Sequence, residues 1–206
     1  MLFRSLLVLL GIAASPAVAF AQESAPEPAS PQEEPAPAQE SQYVRHGFTM
    51  ELGLGISETA IASDVSTRDE SAIGLAPLSL GLGGFLSPRL ALIGRAAGTS
   101  TFRDDARGRS YQTVNAFYGP TLQYWATDRL YVGGGIGLAV LAADPFGHNK
   151  QVQFFDTGVG LNGRLGWAFA LPGTHHALTL GLDAFASRFE KTTTLATALN
   201  LGWQFF

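Results

Sequence analysis

Hydrophobic and polar residues alternate along most of the chain after Gly47. Between residues 47 and 57 an apolar side chain falls at every second position, and small or polar residues fill the positions between. A two-residue period is typical of a β-strand with one apolar and one polar face. Segments of this kind recur with turn residues between them, and no stretch has a convincing helical period. The sequence therefore predicts eight strands, at 47–57, 73–85, 89–102, 111–125, 130–141, 152–170, 177–189 and 193–206.

The connections between these segments are alternately long and short. Tight turns are predicted at 87–88, 126–129 and 172–175, and longer polar loops at 58–72, 103–110 and 142–151. This order is typical of an up-and-down meander whose tight turns share one rim and whose loops share the other. A break in the alternation near Pro77 predicts a β-bulge in the second strand.

The turn at 172–175 allows a test of register. If it pairs Leu171 with His176, apolar residues face apolar residues across the hairpin, and charges of opposite sign face each other. The predicted pairs are Arg164 with Asp183, Trp167 with Leu180, Phe169 with Leu178 and Asp156 with Lys191.

Composition indicates which face of the predicted barrel points outward. Only 15% of the residues are charged, and 24 are glycine, so the polar face is mostly small and suits a crowded lumen better than a surface in water. Aromatic residues cluster just before the tight turns and at the C-terminus, where a membrane interface would need them. The predicted girdle is Tyr124, Trp125, Trp167, Phe169, Trp203 and Phe205. The alternative is a soluble barrel with the apolar face inside.

Four charged residues fall on the predicted lumen face: Glu51, Arg95, Arg164 and Asp183. An eight-stranded barrel has an interior that side chains can fill, and buried charges are costly unless they are paired. We therefore expect two acids and two arginines to neutralise each other in a structural plug. The functional alternative is a gated path for protons or ions.

The N-terminal region differs in character from the rest. Residues 1–21 have one basic residue, Arg4, then an apolar run and the sequence Ala19-Phe20-Ala21, which predicts a secretory signal peptide that is removed. Residues 22–46 are rich in Pro, Glu and Ala and predict a disordered periplasmic linker. The linker is either a plain spacer or an arm toward peptidoglycan or a periplasmic partner. The barrel domain is predicted over 47–206.

Composition also excludes several classes of function. The chain has no Cys, so disulfides, thiolate metal sites and thiol nucleophiles are excluded. Its net charge of −4 and the lack of a basic cluster exclude nucleic acid as a partner. His148, in a predicted outer loop, has Asp144 nearby but no serine in that loop, and His175 and His176 would point to opposite faces if the chain is extended there. We therefore expect no catalytic, cofactor or metal site.

The signal peptide, eight alternating strands, three tight turns and C-terminal Leu201-Gly202-Trp203-Gln204-Phe205-Phe206 resemble the small outer-membrane β-barrels of the OmpA/OmpX type. The resemblance implies the outer membrane of a Gram-negative-type envelope, with lipid and lipopolysaccharide as surroundings. It also implies that Phe206 is the signal read by the barrel assembly machinery, although Trp203 and Phe205 have the lipid-facing parity and Phe206 is one step out of it.

The function expected on this basis is a structural or surface-interaction role, in envelope integrity or in recognition through the extracellular loops. The first alternative is a narrow channel or carrier for small or hydrophobic molecules, similar to OmpW-type barrels. The second is an enzyme that modifies lipid A.

Overall fold

The computed structural model describes residues 45–63, 66–104, 110–143, 154–171 and 174–206. Eight antiparallel strands close into one barrel, in which each strand pairs with its sequence neighbours and the last pairs with the first. This confirms the predicted all-β, eight-stranded up-and-down barrel. The predicted signal peptide and residues 22–44 of the predicted linker lie outside the described residues.

The strands are β1 (Phe48–Ser63), β2 (Ser66–Ser87), β3 (Leu90–Asp104), β4 (Ser110–Trp125), β5 (Leu130–Ala143), β6 (Phe154–Ala170), β7 (His176–Arg188) and β8 (Thr192–Phe205). The connections after β2, β4 and β6 are on the same rim as the N-terminal end of β1 and the C-terminus. We call this the tight-turn rim, and the opposite one the outer rim.

The prediction of a loop over 58–72 is wrong. The ladder between β1 and β2 continues through Glu58 opposite Ile73 to Ile61 opposite Glu70, so most of the segment is strand. Its residues lack the regular apolar alternation because a hairpin that extends past the apolar belt is held by backbone hydrogen bonds and needs no lipid-facing side chains. Arg103 and Asp104, also predicted as loop, belong to β3.

The predicted bulge near Pro77 is present. Gly53 pairs with Ser79 while Gly55 pairs with Ala76, so β2 has one residue more than β1 over this interval. Pro77 and Leu78 are consecutive yet both exposed, which breaks the inward and outward alternation. Proline has no N–H to contribute to a ladder, which explains why the irregularity lies here.

The β6–β7 hairpin has the predicted register. The N–H of Leu171 donates to the carbonyl of His176 at 2.9 Å. The predicted pairs Arg164 with Asp183, Trp167 with Leu180 and Phe169 with Leu178 all form. The expected pair of Asp156 with Lys191 does not.

This pair fails because β7 ends before Lys191. The β6–β7 ladder stops at Val159 opposite Arg188. The chain then turns toward β8, where the N–H of Phe189 donates to the carbonyl of Thr192 at 2.8 Å. Lys191 therefore belongs to a turn at the outer rim.

The exterior of the barrel is apolar and the interior is polar. Leu54 is 63% exposed and Leu201 is 60% exposed, whereas Gln123 and Gln204, on the opposite face, are fully buried. This is the reverse of a soluble protein, so the outward side chains face lipid and the alternative of a soluble barrel is wrong. Among the described residues, no helix is long and apolar enough to cross a membrane.

Candidate functional site: the charged lumen

The four predicted lumen charges lie together at the middle of the barrel, each on a different strand. Arg95 of β3 approaches Glu51 of β1 at 3.1 Å and Asp183 of β7 at 2.6 Å. Arg164 of β6 approaches the two carboxylate oxygens of Glu51 at 2.6 and 2.7 Å. Strand parity directs all four side chains inward, and barrel closure brings β1 across to β6.

Neutral polar groups add further hydrogen bonds to this cluster. The guanidinium of Arg95 also donates to the amide oxygen of Asn162 at 2.9 Å and to the hydroxyl of Ser79 at 2.8 Å. The amide of Asn200 donates to Asp183 at 2.7 Å, and Arg164 donates to the amide oxygen of Gln123 at 3.1 Å. Arg95 is thus bound to side chains from four other strands.

The cluster is electrically balanced and buried. Two carboxylates oppose two guanidinium groups, and their side chains are between 1% and 8% exposed. Desolvation of four charges is costly, and the close ion pairs with their additional hydrogen bonds offset that cost. We call Glu51, Arg95, Arg164 and Asp183 the charge network.

Glycines on the lumen face make room for the charge network. A Cβ at Gly81 would lie 2.3 Å from Cγ of Glu51, and one at Gly166 would lie 2.2 Å from the hydroxyl of Tyr131. Tyr131 in turn accepts a hydrogen bond from Arg164 at 3.3 Å. These positions therefore need glycine because an adjacent strand's side chain occupies the space of a Cβ.

Apolar layers lie on both sides of the charge network. Toward the outer rim, Phe117 and Phe185 meet with ring centroids 6.4 Å apart among buried alanines. Toward the tight-turn rim, Trp125, Tyr131 and Phe206 form a second cluster. Beyond the first layer, Leu141 and Phe189 are buried together near the outer rim. The lumen is therefore filled at several heights, with the charges in the middle.

The structure places five of the six residues of the predicted girdle on the exterior and one in the lumen. Tyr124, Trp167 and Phe169 lie on the exterior, and Trp203 and Phe205 lie there partly covered by histidine rings. Trp125 is a correction, because it is fully buried in the lumen. Tyr124 and Trp125 are consecutive in a strand and must point to opposite faces, so they cannot share the lipid-facing girdle.

Phe206 also points inward. It follows the last residue of β8 and is 7% exposed, with its ring 5.4 Å from that of Trp125. The difference in parity between Phe206 and the pair Trp203 and Phe205 therefore corresponds to a difference in position: Phe206 faces the lumen and the other two face outward. Its expected role as an assembly signal stays a prediction.

The condition for His175 and His176 to point to opposite faces, an extended backbone at both, is not met. Their ring centroids lie 6.4 and 5.4 Å from that of Phe205, and His176 stacks on Trp203 at 5.2 Å. His175 precedes β7, so the alternation of a strand does not apply to it.

Arg45 is a residue of this site that the sequence analysis missed. It was included in the disordered linker, yet it is 3% exposed and lies over the ring of Trp125. One signal in the sequence could have indicated its burial. Arg45 is a lone arginine two residues before Gly47, on the same rim as Asp128 in its tight turn.

Other predicted candidates give no site. Arg103, the first residue of the loop predicted over 103–110, points inward and donates to the carbonyl of Thr59 at 2.9 Å. His148 and Asp144 lie outside the described residues. In the part of the chain that the structure describes, no group of His, Asp and Glu could hold a metal ion. That the protein is not an enzyme stays a prediction.

No family model matches the sequence, and no curated protein matches it. Solved structures do share its fold. Neisserial surface protein A is similar with a TM-score of 0.53 and 13% identity, over 77% of this chain and 96% of that one. Ail, the attachment invasion locus protein of Yersinia pestis, solved with the heparin analogue sucrose octasulfate, has a TM-score of 0.51 and 12% identity, over 77% and 99%.

At these identities the likeness establishes the fold alone. The fold is that of a small outer-membrane β-barrel, as expected from the sequence. An apolar exterior on a closed sheet is what a lipid environment requires of a β-structure. A closed sheet is the only β-structure in which every backbone polar group is hydrogen-bonded in lipid. The structure is therefore that of a barrel that spans a membrane.

Proposed function

We propose that this barrel has a structural or surface-interaction role in the outer membrane and does not conduct solutes. The observation that carries the proposal is the packing of the lumen. The charge network is bound side chain to side chain at the middle, and aromatic layers lie on both sides of it.

A conducting path would require this packing to open. Displacing Arg95 would break its hydrogen bonds to Glu51, Asn162, Ser79 and Asp183 at once. Each unpaired charge left in the lumen carries a large desolvation cost. The structural interpretation of the charge network is therefore favoured over a gated proton or ion path.

The role in recognition rests on the outer rim. The β1–β2 hairpin extends there as strand to Ser63 and Ser66, well past the apolar belt. Beyond Gly74 the β2 strand is no longer paired with β3, so it can present its edge to a partner. Lipopolysaccharide and outer-membrane lipid are the proposed surroundings of this rim, and peptidoglycan or a periplasmic protein is the proposed partner of the linker. Phe206 is the proposed signal to the barrel assembly machinery.

Single-channel recording in planar bilayers tests the central part of the proposal. The full-length mature protein should give no reproducible conductance steps. A double variant in which Phe117 and Phe185 are both alanine is the matched control, because it empties the outer aromatic layer and leaves the charge network in place. Regular steps from the unaltered protein would contradict the proposal and favour the channel alternative.

Two measurements on cells address the remaining roles. Removal of the gene should increase sensitivity to detergents and large antibiotics if the barrel supports envelope integrity. A shortened β1–β2 hairpin should then restore integrity and fail in any binding assay that the complete protein passes. The mass of lipid A should not change on removal, and a changed mass would favour the enzyme alternative.

A further inference from the structure

Arg45 lies at the mouth of the barrel on the tight-turn rim. Its guanidinium carbon is 3.9 Å from the centroid of the Trp125 ring and 5.3 Å from that of Phe206. A guanidinium over an aromatic face is attracted by the ring quadrupole, and the attraction grows when the pair is removed from water. At 3% exposure, Arg45 is almost completely removed from water.

A second set of contacts connects Arg45 to the turn between β4 and β5. One terminal nitrogen donates to the main-chain carbonyl of Asp128, and the other lies 3.8 Å from its carboxylate. The aromatic rings fix the plane of the guanidinium, and Asp128 binds its edge. The two kinds of contact together select arginine over lysine, whose ammonium is a point charge without a flat face.

Gly47 fixes the other end of this connection. Its φ of +75° is in the left-handed region, and its carbonyl accepts from the N–H of Phe85 at 2.8 Å. The chain is therefore held beside β2, while the side chain of Arg45 reaches the β4–β5 turn. In a closed eight-stranded sheet, β5 lies opposite β1, so Arg45 spans the mouth.

A polar column begins directly inside this cover. The amide of Gln204 donates to the hydroxyl of Thr49 at 3.3 Å, and the amide of Gln123 donates to Gln204 at 3.5 Å. Gln123 accepts from Arg164, which belongs to the charge network. These hydrogen bonds lead from the mouth to the charges at the middle of the lumen.

We infer that Arg45 is a latch that closes the mouth at the tight-turn rim, by packing on Trp125 and Phe206 and binding Asp128, and so keeps water and ions away from the charge network. The latch belongs to the chain that leads into the predicted linker. This inference is separate from the proposed function, because a barrel that never conducts can have either an open or a closed mouth.

Fluorescence quenching of Trp125 tests the latch. The chain has three tryptophans, so replacing the lipid-facing Trp167 and Trp203 by phenylalanine leaves Trp125 as the single reporter. The full-length mature protein is studied in detergent micelles, where both rims meet solvent, with iodide and acrylamide as quenchers. The Arg45→Ala variant should raise the quenching constant several-fold, and Arg45→Lys should give an intermediate value.

The Arg129→Ala variant is the matched control, because Arg129 is an exposed arginine in the same turn as Asp128. It should leave quenching unchanged. Unchanged quenching in Arg45→Ala, with the gel mobility of a folded barrel, would overturn the inference. If Arg45→Ala does not fold, Asp128→Ala in the same background replaces it. That variant should raise quenching above the control, and equal quenching would also overturn the inference.

Discussion

Arg164 and Asp183 face each other in register across β6 and β7, yet each makes its closer ion pair with a residue of another strand. Their own nitrogen-to-oxygen distance is 3.8 Å. Arg164 approaches Glu51 at 2.6 Å, and Asp183 approaches Arg95 at 2.6 Å. The hairpin therefore brings the two charges to one height, and closure of the barrel decides which partner each binds.

Removing one member of the charge network should be strongly destabilising. In Arg95→Met, Glu51 and Asp183 would share a single arginine inside the lumen. The expected loss in the free energy of unfolding is about 3–5 kcal/mol, the usual cost of an uncompensated buried charge. Denaturant unfolding in lipid bilayers measures it. A loss below about 1 kcal/mol would indicate that water already reaches these charges.

A double-mutant cycle on Glu51 and Arg164 should show strong coupling. Glu51→Gln and Arg164→Met each leave the network with a net charge, whereas the double variant is neutral again. The double variant should therefore be more stable than the sum of the two single losses predicts, by about 1–3 kcal/mol. Additive losses would show that the two groups contribute independently despite their contact.

Two glycines of β6 provide a matched pair of substitutions. A Cβ at Gly166 would meet the ring and hydroxyl of Tyr131 at 2.2 Å, whereas a Cβ at Gly163 meets nothing within 4 Å. Gly166→Ala should destabilise the barrel by about 1–3 kcal/mol, because Tyr131 must leave Arg164. Gly163→Ala should change stability by less than about 0.5 kcal/mol. Equal effects would contradict this account of the lumen packing.

A charge on the lipid face should be costly according to its depth. Leu199 lies on the exterior between Ile56 and Leu182, near the middle of the apolar belt. Leu199→Arg should cost about 2–4 kcal/mol of folding free energy, whereas Thr193→Arg, near the outer rim, should cost about 0–1 kcal/mol. Similar costs at both positions would contradict the assigned depth of the belt.

The closed barrel should also be visible on a gel. The unboiled protein from the membrane fraction should migrate differently in SDS from the boiled protein, because a closed sheet with a satisfied backbone resists the detergent until heated. The Arg95→Met variant should lose this difference at a lower temperature than the unaltered protein. Identical mobility with and without boiling would contradict a folded barrel in the membrane.

Much of the barrel could be predicted because, in a strand, alternation with a period of two indicates for each residue whether it faces the lumen or the exterior. Parity alone places Glu51, Arg95, Arg164 and Asp183 in the lumen. The turn at 172–175 then sets the register of the β6–β7 hairpin, as observed. The partner choice within the charge network could not be predicted, because it depends on contacts across the lumen between strands that are distant in sequence.

The errors come from places where a local rule gave way to a contact elsewhere in the barrel. The position of Trp125 near a turn predicts a girdle residue, but parity decides the face of a strand residue and directs Trp125 inward. Arg45 was assigned to the linker from composition, whereas its burial depends on Trp125 and Asp128, about eighty residues away. The expected pair of Lys191 with Asp156 assumes that the β6–β7 ladder continues beyond the end of β7, and it does not.

The seam between β1 and β8 has a consequence for when the molecule can fold. Fourteen residue pairs join these strands, from Met50 with Phe205 to Ser63 with Thr192, and the hydroxyl of Thr49 donates to the carbonyl of Phe205 at 2.6 Å. The edge of β1 that pairs with β8 therefore stays uncovered until β8 has been synthesised. Contacts between such distant segments form slowly, so the apolar strands need protection from aggregation until the barrel can close.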